Sequence, residues 1–258
     1  AIKSLKANFL PKSLLAEEFK HVFHDLFGRR SKIFSKIVEI IAAKTCSFQE
    51  IVTKTQYADS GSLTEYLKDL SISGYLKSTL SWSIKSQNFT QRKNYRLTDN
   101  YLRFYFKYIK AKQEQINEGL LEDMSVDTLP NFMPFIGLQF ENLILNNTKA
   151  IISALEIPAE QVLYCNSFIQ RKTKIQNGCQ IDLMIQTKYK TIFLCEIKFS
   201  ENEVSQKVIS DMQRKMAALK TPRGYAYLPV LIHTGALNEK IIDAEFFEKI
   251  INIEEMIA

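Results

Sequence analysis

The stretch IDLMIQTKYKTIFLCEIKF, residues Ile181–Phe199, decides the fold of the second half of this chain. Ile181–Thr187 and Thr191–Phe199 are apolar and rich in β-branched residues, which is typical of buried strands. The short polar segment Lys188–Lys190 between them predicts a tight turn. The stretch therefore predicts a β-hairpin.

Three charged residues interrupt these apolar strands: Asp182, Glu196 and Lys198. Because side chains alternate along a strand, Glu196 and Lys198 point to one face, and the hairpin brings Asp182 within a residue or two of them. Such charges are costly to bury unless they are paired or bind a metal. The pattern predicts a functional charge cluster; the alternative is an edge strand whose Glu196–Lys198 pair is an ordinary surface pair.

The composition is that of a folded protein with a basic first half. Of 258 residues, 46% are hydrophobic and 11% aromatic, enough for one large domain or two ordinary ones. Residues 1–120 hold 20 Lys and Arg against 11 Asp and Glu, whereas the remainder hold 14 against 17. This asymmetry indicates that the first half contacts an anion and that the second half concentrates carboxylates.

Several classes of protein are disfavoured by the sequence. No stretch approaches 18 uncharged apolar residues, so we expect no membrane span. The four cysteines are dispersed without a CxxC motif, which predicts free thiols in a reducing, cytoplasmic compartment rather than zinc ligands or disulfides. The chain begins at Ala1 without an initiator methionine, and we expect an excised fragment.

The first half predicts helices followed by a two-stranded hairpin. Helical spacing predicts helices in SLLAEEFKHVFHDLF (with Ser13 as N-cap), SKIFSKIVEIIAAK, SFQEIVTKT and DSGSLTEYLKDLSISG, and Ser47 with Glu50 predicts a capping box for the third. YLKSTLSW and KNYRLTD then predict two strands around SIKSQNFTQR. Three helices followed by a two-stranded wing are the layout of a winged-helix domain.

A winged helix that binds nucleic acid would use Ser60–Ser73 as its recognition helix and place the basic residues of the wing near phosphates. Glu65 and Asp69 on that helix repel a phosphate backbone, so a winged helix that contacts protein alone is the alternative. The candidate nucleic-acid-binding residues are Lys68, Lys85, Arg92 and Lys93.

The segment YRLTDNYLRFYFKYIK, residues 95–110, predicts a helix capped by Asp99 whose aromatic residues nearly encircle it. Such a helix is far more often buried than used to stack bases. The polar, proline-broken residues 111–136 then predict a domain boundary near 115–130.

Beyond the boundary the sequence predicts an α/β unit with a mixed sheet. The expected elements are a long helix over Phe135–Leu155, a strand in QVLYCNSFIQ, the hairpin, an amphipathic helix in VSQKVISDMQRKMAALK, a strand in YAYLPVLIHTG, and a final short strand or helix in FFEKIINIEEMI. The predicted domains are residues 1–120, helical with a wing, and residues 121–258, mixed α/β.

This order of elements, with its charged residues, resembles the PD-(D/E)XK nuclease superfamily, whose core runs helix, three strands, helix, strand. The resemblance implies Glu141 on the first helix, Asp182 on the second strand, and Glu196 and Lys198 on the third. The chain departs from the pattern before Asp182, where Ile181 replaces the proline.

The same resemblance implies roles for these residues. Glu141, Asp182 and Glu196, with a backbone carbonyl near Ile197, would hold Mg²⁺ or Mn²⁺. Such a metal lowers the pKa of an attacking water, and Lys198 would orient that water or neutralise charge on the phosphate. In that superfamily the following helix often lends a glutamine or a basic residue to the site, and the residue expected here is Gln213.

From about Leu14 onward, the chain resembles the C-terminal region of archaeal and bacterial DEXX-box, AAA-type ATPases. The resemblance rests on Tyr95–Phe106, on GLQFE at Gly137–Glu141, and on the D…ExK hairpin. It implies an ATPase domain in cis or in trans as partner and leaves homo-oligomer formation open. No G-x-x-x-x-G-K-[ST] phosphate loop occurs in the sequence, so nucleotide hydrolysis is not assigned to it.

Two functions remain open at this stage. The first is a metal-dependent DNA endonuclease with a winged-helix DNA-binding domain. The second is a catalytically inactive nuclease-fold module that regulates an ATPase or binds a partner. Because unrelated functions share folds, only the geometry of the site can separate them.

Overall fold

The computed structural model describes residues 6–10, 28–57, 60–220 and 222–257. The helix predicted in SLLAEEFKHVFHDLF, with Ser13 as its cap, lies outside these residues. The described chain forms two compact units. The first runs to Leu80 and resumes over Gln91–Phe132, and the second comprises Ser81–Thr90 and the residues from Met133 onward.

Among its described residues, the first unit begins with three helices, as the sequence predicts, and a small sheet of three strands where the sequence predicts two. They are α1 (Ser31–Ala43), strand β1 (Cys46–Ser47), α2 (Phe48–Thr55), α3 (Ser60–Ile72), β2 (Leu76–Ser83) and β3 (Asn88–Leu97), with the three strands in the order β1-β3-β2. Buried Phe34, Ile37, Ile51, Leu63 and Leu67 form part of its core. Strand β3 begins five residues before the predicted KNYRLTD segment, so more of the hairpin is ordered as strand than expected.

The capping box that begins α2 is confirmed. The Ser47 hydroxyl accepts a hydrogen bond from the Glu50 backbone N–H, and the Glu50 carboxylate accepts one from the Ser47 backbone N–H at 2.8 Å. These two bonds satisfy donors that a helix start leaves unpaired. Lys44 adds an ion pair to Glu50 at 2.7 Å.

The aromatic segment after β3 is buried, as predicted. Asp99 caps α4 (Asn100–Phe104) by accepting a hydrogen bond from the Leu102 N–H at 2.9 Å. The chain continues as a π-helical turn (Tyr105–Ile109), a 3₁₀ turn (Lys110–Lys112) and α5 (Gln113–Asn117). Leu102, Phe104, Tyr105, Phe106, Tyr108 and Ile109 are all buried. These aromatic rings therefore form core and are not a base-stacking surface.

The prediction of one long helix over Phe135–Leu155 is wrong in one respect: two shorter helices occupy this part of the chain. Helix α6 covers Phe132–Asn146, and α7 covers Thr148–Ala154. At the break, the Asn147 side-chain amide donates to the Leu143 carbonyl at 2.8 Å, and its backbone leaves the helical region (φ −118°, ψ 33°). Asparagine competes in this way for carbonyls at a helix end.

The second unit is built on a mixed five-stranded sheet. Its strands are β4 (Val162–Gln170), β5 (Cys179–Thr187), β6 (Thr191–Lys198), β8 (Ala226–His233) and β10 (Lys249–Asn252), in the order β10-β8-β6-β5-β4. β4, β5 and β6 are antiparallel neighbours, whereas β8 runs parallel to both β6 and β10. The predicted hairpin at 181–199 is confirmed.

Short elements and one longer helix complete the second unit. They are β7 (Glu203–Val204), α8 (Lys207–Ala218), β9 (Ala236–Leu237), α9 (Glu239–Asp243) and α10 (Ile253–Ile257). Helix α8 is the predicted amphipathic helix, and the segment FFEKIINIEEMI forms both a strand, β10, and a helix, α10.

Single 3₁₀ turns occupy Ala7–Phe9, Gly28–Arg30 and Val126–Thr128 in the first unit and Ala159–Gln161 in the second.

Each face of the five-stranded sheet carries its own hydrophobic core. On one face, Met184, Leu194 and Leu231 pack with Val208 and Met212 of α8. On the other face, Leu183, Ile185, Cys195 and Ile197 pack with residues of α6, among them Phe140 and Ile144. Because strand side chains alternate, Asp182 and Glu196 lie on the α8 face.

The tip of the β2–β3 hairpin belongs to the second unit. The Trp82 indole stacks on Tyr164, with ring centroids 5.2 Å apart, and its N–H donates to the Gln186 side chain at 2.7 Å. Both Trp82 and Gln186 are buried, so this hydrogen bond is shielded from water. In the described part of the chain, no helix combines the length and apolar character needed to cross a membrane.

Candidate functional site: a carboxylate–lysine cluster beside a basic cleft

Asp182 and Glu196 meet at the open end of the β5–β6 hairpin. Leu183 pairs with Cys195 across the two strands, so the next positions outward are Asp182 and Glu196. The Ile197 backbone N–H donates to Asp182 Oδ2 at 3.1 Å. The prediction that the hairpin brings Asp182 to the Glu196–Lys198 face is confirmed.

Lys198 pairs with Glu196 at this site. Its Nζ lies 2.8 Å from Glu196 Oε1, and the Lys198 side chain is 39% exposed, whereas that of Glu196 is 2% exposed. The pair is therefore neither a fully buried ion pair nor the solvated surface pair that the sequence left as the alternative. One member is in the core and the other reaches solvent.

Lys215 of α8 completes the cluster, and the sequence interpretation missed it. Its Nζ lies 2.5 Å from Glu196 Oε2 and 3.3 Å from Asp182 Oδ1, and its side chain is 19% exposed. The signal was present in the spacing: Val208, Met212, Lys215 and Leu219 recur at intervals of four and three residues, which places the lysine on the buried stripe of the helix.

Every carboxylate oxygen of the cluster has a protein donor. Asp182 Oδ2 accepts from the Ile197 N–H and Oδ1 from Lys215, while Glu196 Oε1 faces Lys198 and Oε2 faces Lys215. Two carboxylates and two ammonium groups also cancel in charge. Such pairing is the condition under which charges are tolerated in a protein interior.

The surroundings perturb two of these groups. Burial, reinforced by the negative charge of Glu196, raises the pKa of Asp182, while Lys215 and the Ile197 N–H act in the opposite sense. Burial alone would lower the pKa of Lys215, but the adjacent charges of Asp182 and Glu196 outweigh it and raise that pKa above its ordinary value. The lysine therefore stays protonated between its two partners.

An open cleft of about 770 Å³ adjoins the cluster. It is lined by Lys172, Asn177, Gly178, Cys179, Gln180, Asp182, Arg214, Lys215, Ala217 and Ala218. Three of these side chains are cationic and one, Asp182, is a carboxylate. Lys215 is neutralised by Asp182 and Glu196, and Arg214 pairs with Asp211 at 2.9 Å but is 75% exposed. The β4–β5 loop adds the exposed Arg171 and Lys174 nearby in sequence. A groove with this charge suits a polyanion.

Two predicted site residues do not join the cluster. Glu141 lies half-buried on α6, whose neighbouring Phe140 and Ile144 pack on the sheet face opposite to Asp182 and Glu196. Gln213 lies exposed on α8, two residues before the lysine that does reach the site. The order of elements along a sequence does not specify which sheet face a helix covers or which of its residues turn inward. The order of elements therefore could not show that Glu141 and Gln213 lie outside the cluster.

The predicted metal site is not assembled in this arrangement. Across residues 6–10, 28–57, 60–220 and 222–257, no three His, Cys, Asp or Glu side chains form a group that could hold a metal ion. Glu141 is therefore not gathered with Asp182 and Glu196 as a third carboxylate. Because the Lys215 ammonium lies between the carboxylates of Asp182 and Glu196, these side chains as arranged do not form a ligand set that fits Mg²⁺ or Mn²⁺.

The predicted nucleic-acid-binding residues are exposed but divided between the units. Lys68 lies on α3, and Arg92 and Lys93 lie on β3, all in the first unit. Lys85 lies in the turn of the β2–β3 hairpin, which belongs to the second unit. A single surface of the first unit therefore contains three of the four candidates at most.

The second unit is thus a mixed-sheet α/β unit with a neutralised carboxylate–lysine cluster beside a basic cleft. Residues 105–209 match the model of the family DUF234, described as archaeal and bacterial proteins of unknown function. The match covers less than half of the chain, so it shows similarity to that family. It includes Asp182, Glu196 and Lys198 and ends before Lys215.

No curated protein matches the sequence. Among solved structures, the crystal structure of a repair endonuclease from Pyrococcus abyssi matches with 19% sequence identity over 43% of each chain and a TM-score of 0.27. The matched part is less than half of that protein, and a likeness at this level supports no conclusion on fold or activity.

Proposed function

We propose that this chain is a nuclease-fold module that binds DNA through the basic cleft of its second unit. The observation that carries the proposal is the group of exposed cations at that cleft, Lys172 and Arg214, with Arg171 and Lys174 of the adjoining loop. Arg214 also pairs with Asp211 at 2.9 Å, but its side chain is 75% exposed. Spaced cations along an open groove attract the phosphate backbone without reading its sequence.

The order of elements in the second unit supports a PD-(D/E)XK fold. A helix, three antiparallel strands, a helix and a parallel fourth strand follow one another as α6, β4, β5, β6, α8 and β8. The aspartate stands on the second of these strands and the ExK sequence on the third. Within the proposal, this domain covers residues 121–258.

For residues 1–120 the proposal is a winged-helix domain. Helices α1–α3 and the β2–β3 hairpin support it, and α3 would be the recognition helix, with Lys68 exposed on it. Arg92 and Lys93 would contact phosphates, because both are exposed on β3. Lys85 is left out of this surface, since it lies in the part of the hairpin that belongs to the second unit.

The role that we propose for the whole is that of a catalytically inactive, regulatory or partner-binding C-terminal module of a cytoplasmic AAA-type ATPase. The pairing of both carboxylates with ammonium groups favours inactivity over cleavage, because each oxygen of Asp182 and Glu196 already faces a lysine or a backbone N–H. The proposed partner is an ATPase domain, in cis or in trans. By binding DNA, the cleft of the module would bring that ATPase to the DNA.

A second candidate is a Mg²⁺- or Mn²⁺-dependent DNA endonuclease. One observation favours it: Asp182, Glu196 and Lys198, three of the residues implied by the superfamily resemblance, do lie together. Lys198 is also 39% exposed, within reach of a substrate. The two candidates differ in whether a divalent cation ever enters the cluster.

Binding of a fluorescent DNA duplex to the whole chain in EDTA tests the main proposal. We expect affinity to fall steeply with salt, and Lys172→Glu and Arg214→Glu each to weaken binding and to reduce the salt slope by about 1. Lys188→Glu is the matched control, since this exposed lysine lies at the opposite end of β5. If the cleft variants bind like the control, the cleft does not hold DNA.

A further inference from the structure

We infer that the Lys215 ammonium is the resident cation of this cluster and occupies the place in which a divalent metal ion would join Asp182 and Glu196. The inference does not rest on DNA binding, because its test uses metal ions alone. It explains why the donor set does not fit a metal although its two acidic residues are suitable ligands.

The geometry carries the first step. One nitrogen atom, Lys215 Nζ, lies between two carboxylates, 2.5 Å from Glu196 Oε2 and 3.3 Å from Asp182 Oδ1. The side chain is 19% exposed, about half as much as that of Lys198. The lysine is held there by α8, where Met212 and Leu219 on the same stripe are buried in the core.

Charge carries the second step. Asp182, Glu196, Lys198 and Lys215 sum to zero, so a divalent cation added to the intact cluster would leave two uncompensated positive charges. Charges of one sign in a poorly hydrated site repel strongly. Mg²⁺ and Mn²⁺ therefore have no favourable position in the cluster while Lys215 remains.

Removing the ammonium reverses this balance. Without it, Asp182 Oδ1 and Glu196 Oε2 lose their donor, face the same vacated position, and leave the cluster with a net charge of −1. Hard carboxylate oxygens in that position are ligands that Mg²⁺ and Mn²⁺ prefer, and bound waters complete the coordination of such ions. The Lys215→Met variant should thus become a divalent-cation site.

Thermal unfolding and titration calorimetry with MnCl₂ and MgCl₂ test this directly. For the parent, we expect no metal-dependent rise in Tm and no binding heat that depends on Asp182. Lys215→Met should have a lower Tm in EDTA that rises with metal concentration, as ligand linkage requires. Lys207→Met, which removes an exposed lysine of the same helix, is the matched control and should behave like the parent.

A second variant and a second measurement protect the test from misfolding. Lys215→Arg keeps the charge and should remain unresponsive to metal. If Lys215→Met fails to fold, calorimetry on the parent and on Asp182→Asn still decides. A metal site in the parent that Asp182→Asn abolishes would overturn the inference, as would a folded Lys215→Met that ignores both ions.

Discussion

Lys215 lies 2.5 Å from Glu196, a residue that is 2% exposed, and so brings a positive charge from α8 into the core of the sheet. The same ammonium reaches Asp182 at 3.3 Å. This contact makes α8 part of the site as well as part of the hydrophobic core. It also distinguishes two lysines, Lys198 and Lys215, that pair with one glutamate in different environments.

The first prediction separates these two lysines by stability. Lys215→Met should lower the free energy of unfolding by about 3–5 kcal/mol, because it leaves two buried carboxylate oxygens without their cation. Lys198→Met should cost less than Lys215→Met, because the Lys198 side chain is 39% exposed and Glu196 keeps its ion pair with Lys215. Urea unfolding of both variants in EDTA measures the difference. Equal losses of unfolding free energy in the two variants would contradict the prediction that Lys215 is the more important partner of Glu196.

The hairpin could be predicted from the sequence because its signal is local. Two apolar runs around a polar turn determine β5 and β6, and the period of two places Glu196 and Lys198 on one face. The position of Asp182 opposite them follows from the sequence only to within a residue or two. The capping box of Ser47 and Glu50 is equally local. In each case neighbouring residues settle the structure without tertiary contacts.

The remainder of the site depends on contacts between distant elements. Glu141 was placed by resemblance alone, and packing of Phe140 and Ile144 decides which sheet face α6 covers. Lys215 lies on a helix whose apolar residues predicted only burial. A lysine on a buried stripe indicates a partner, but the identity of that partner depends on the register of α8 against β5 and β6.

The second prediction concerns the anchoring of the hairpin tip. Gln186→Leu should cost about 1–3 kcal/mol, because it leaves the buried Trp82 indole N–H without its 2.7 Å acceptor. Gln180→Leu makes the same change at an exposed position of the same strand and should stay within about 0.5 kcal/mol of the parent.

A double-mutant cycle isolates the hydrogen bond between Trp82 and Gln186. In a Trp82→Phe background no indole N–H remains, so Gln186→Leu should cost clearly less than in the parent. Additive effects in chemical unfolding would show that the hydrogen bond contributes nothing.

The third prediction is a pH dependence from the capping box. The ion pair with Lys44 and the hydrogen bond from the Ser47 N–H lower the pKa of Glu50 from its ordinary 4.5 to about 2. A lowered carboxyl pKa contributes stability that is present above 4.5 and is lost as pH falls through about 2. Because Glu50 is 42% exposed, water screens the effect to about 1 kcal/mol.

Glu50→Gln checks this pH dependence, because the amide keeps an acceptor for the Ser47 N–H but has no charge. The parent should be more stable than the variant above pH 4.5, and the difference should shrink towards pH 2. Denaturant unfolding across this pH range measures it. A difference that is independent of pH would assign the effect to geometry alone.

We propose that the Asp182–Glu196 cluster is complete without a metal ion and that the module binds DNA without cutting it. The most direct measurement is a cleavage assay with supercoiled and single-stranded DNA, in Mg²⁺, in Mn²⁺ and in EDTA, with Asp182→Asn as the paired variant. We expect intact DNA under every condition, together with binding that persists in EDTA. Cleavage that requires Mg²⁺ or Mn²⁺ and disappears in Asp182→Asn would contradict it and establish the endonuclease.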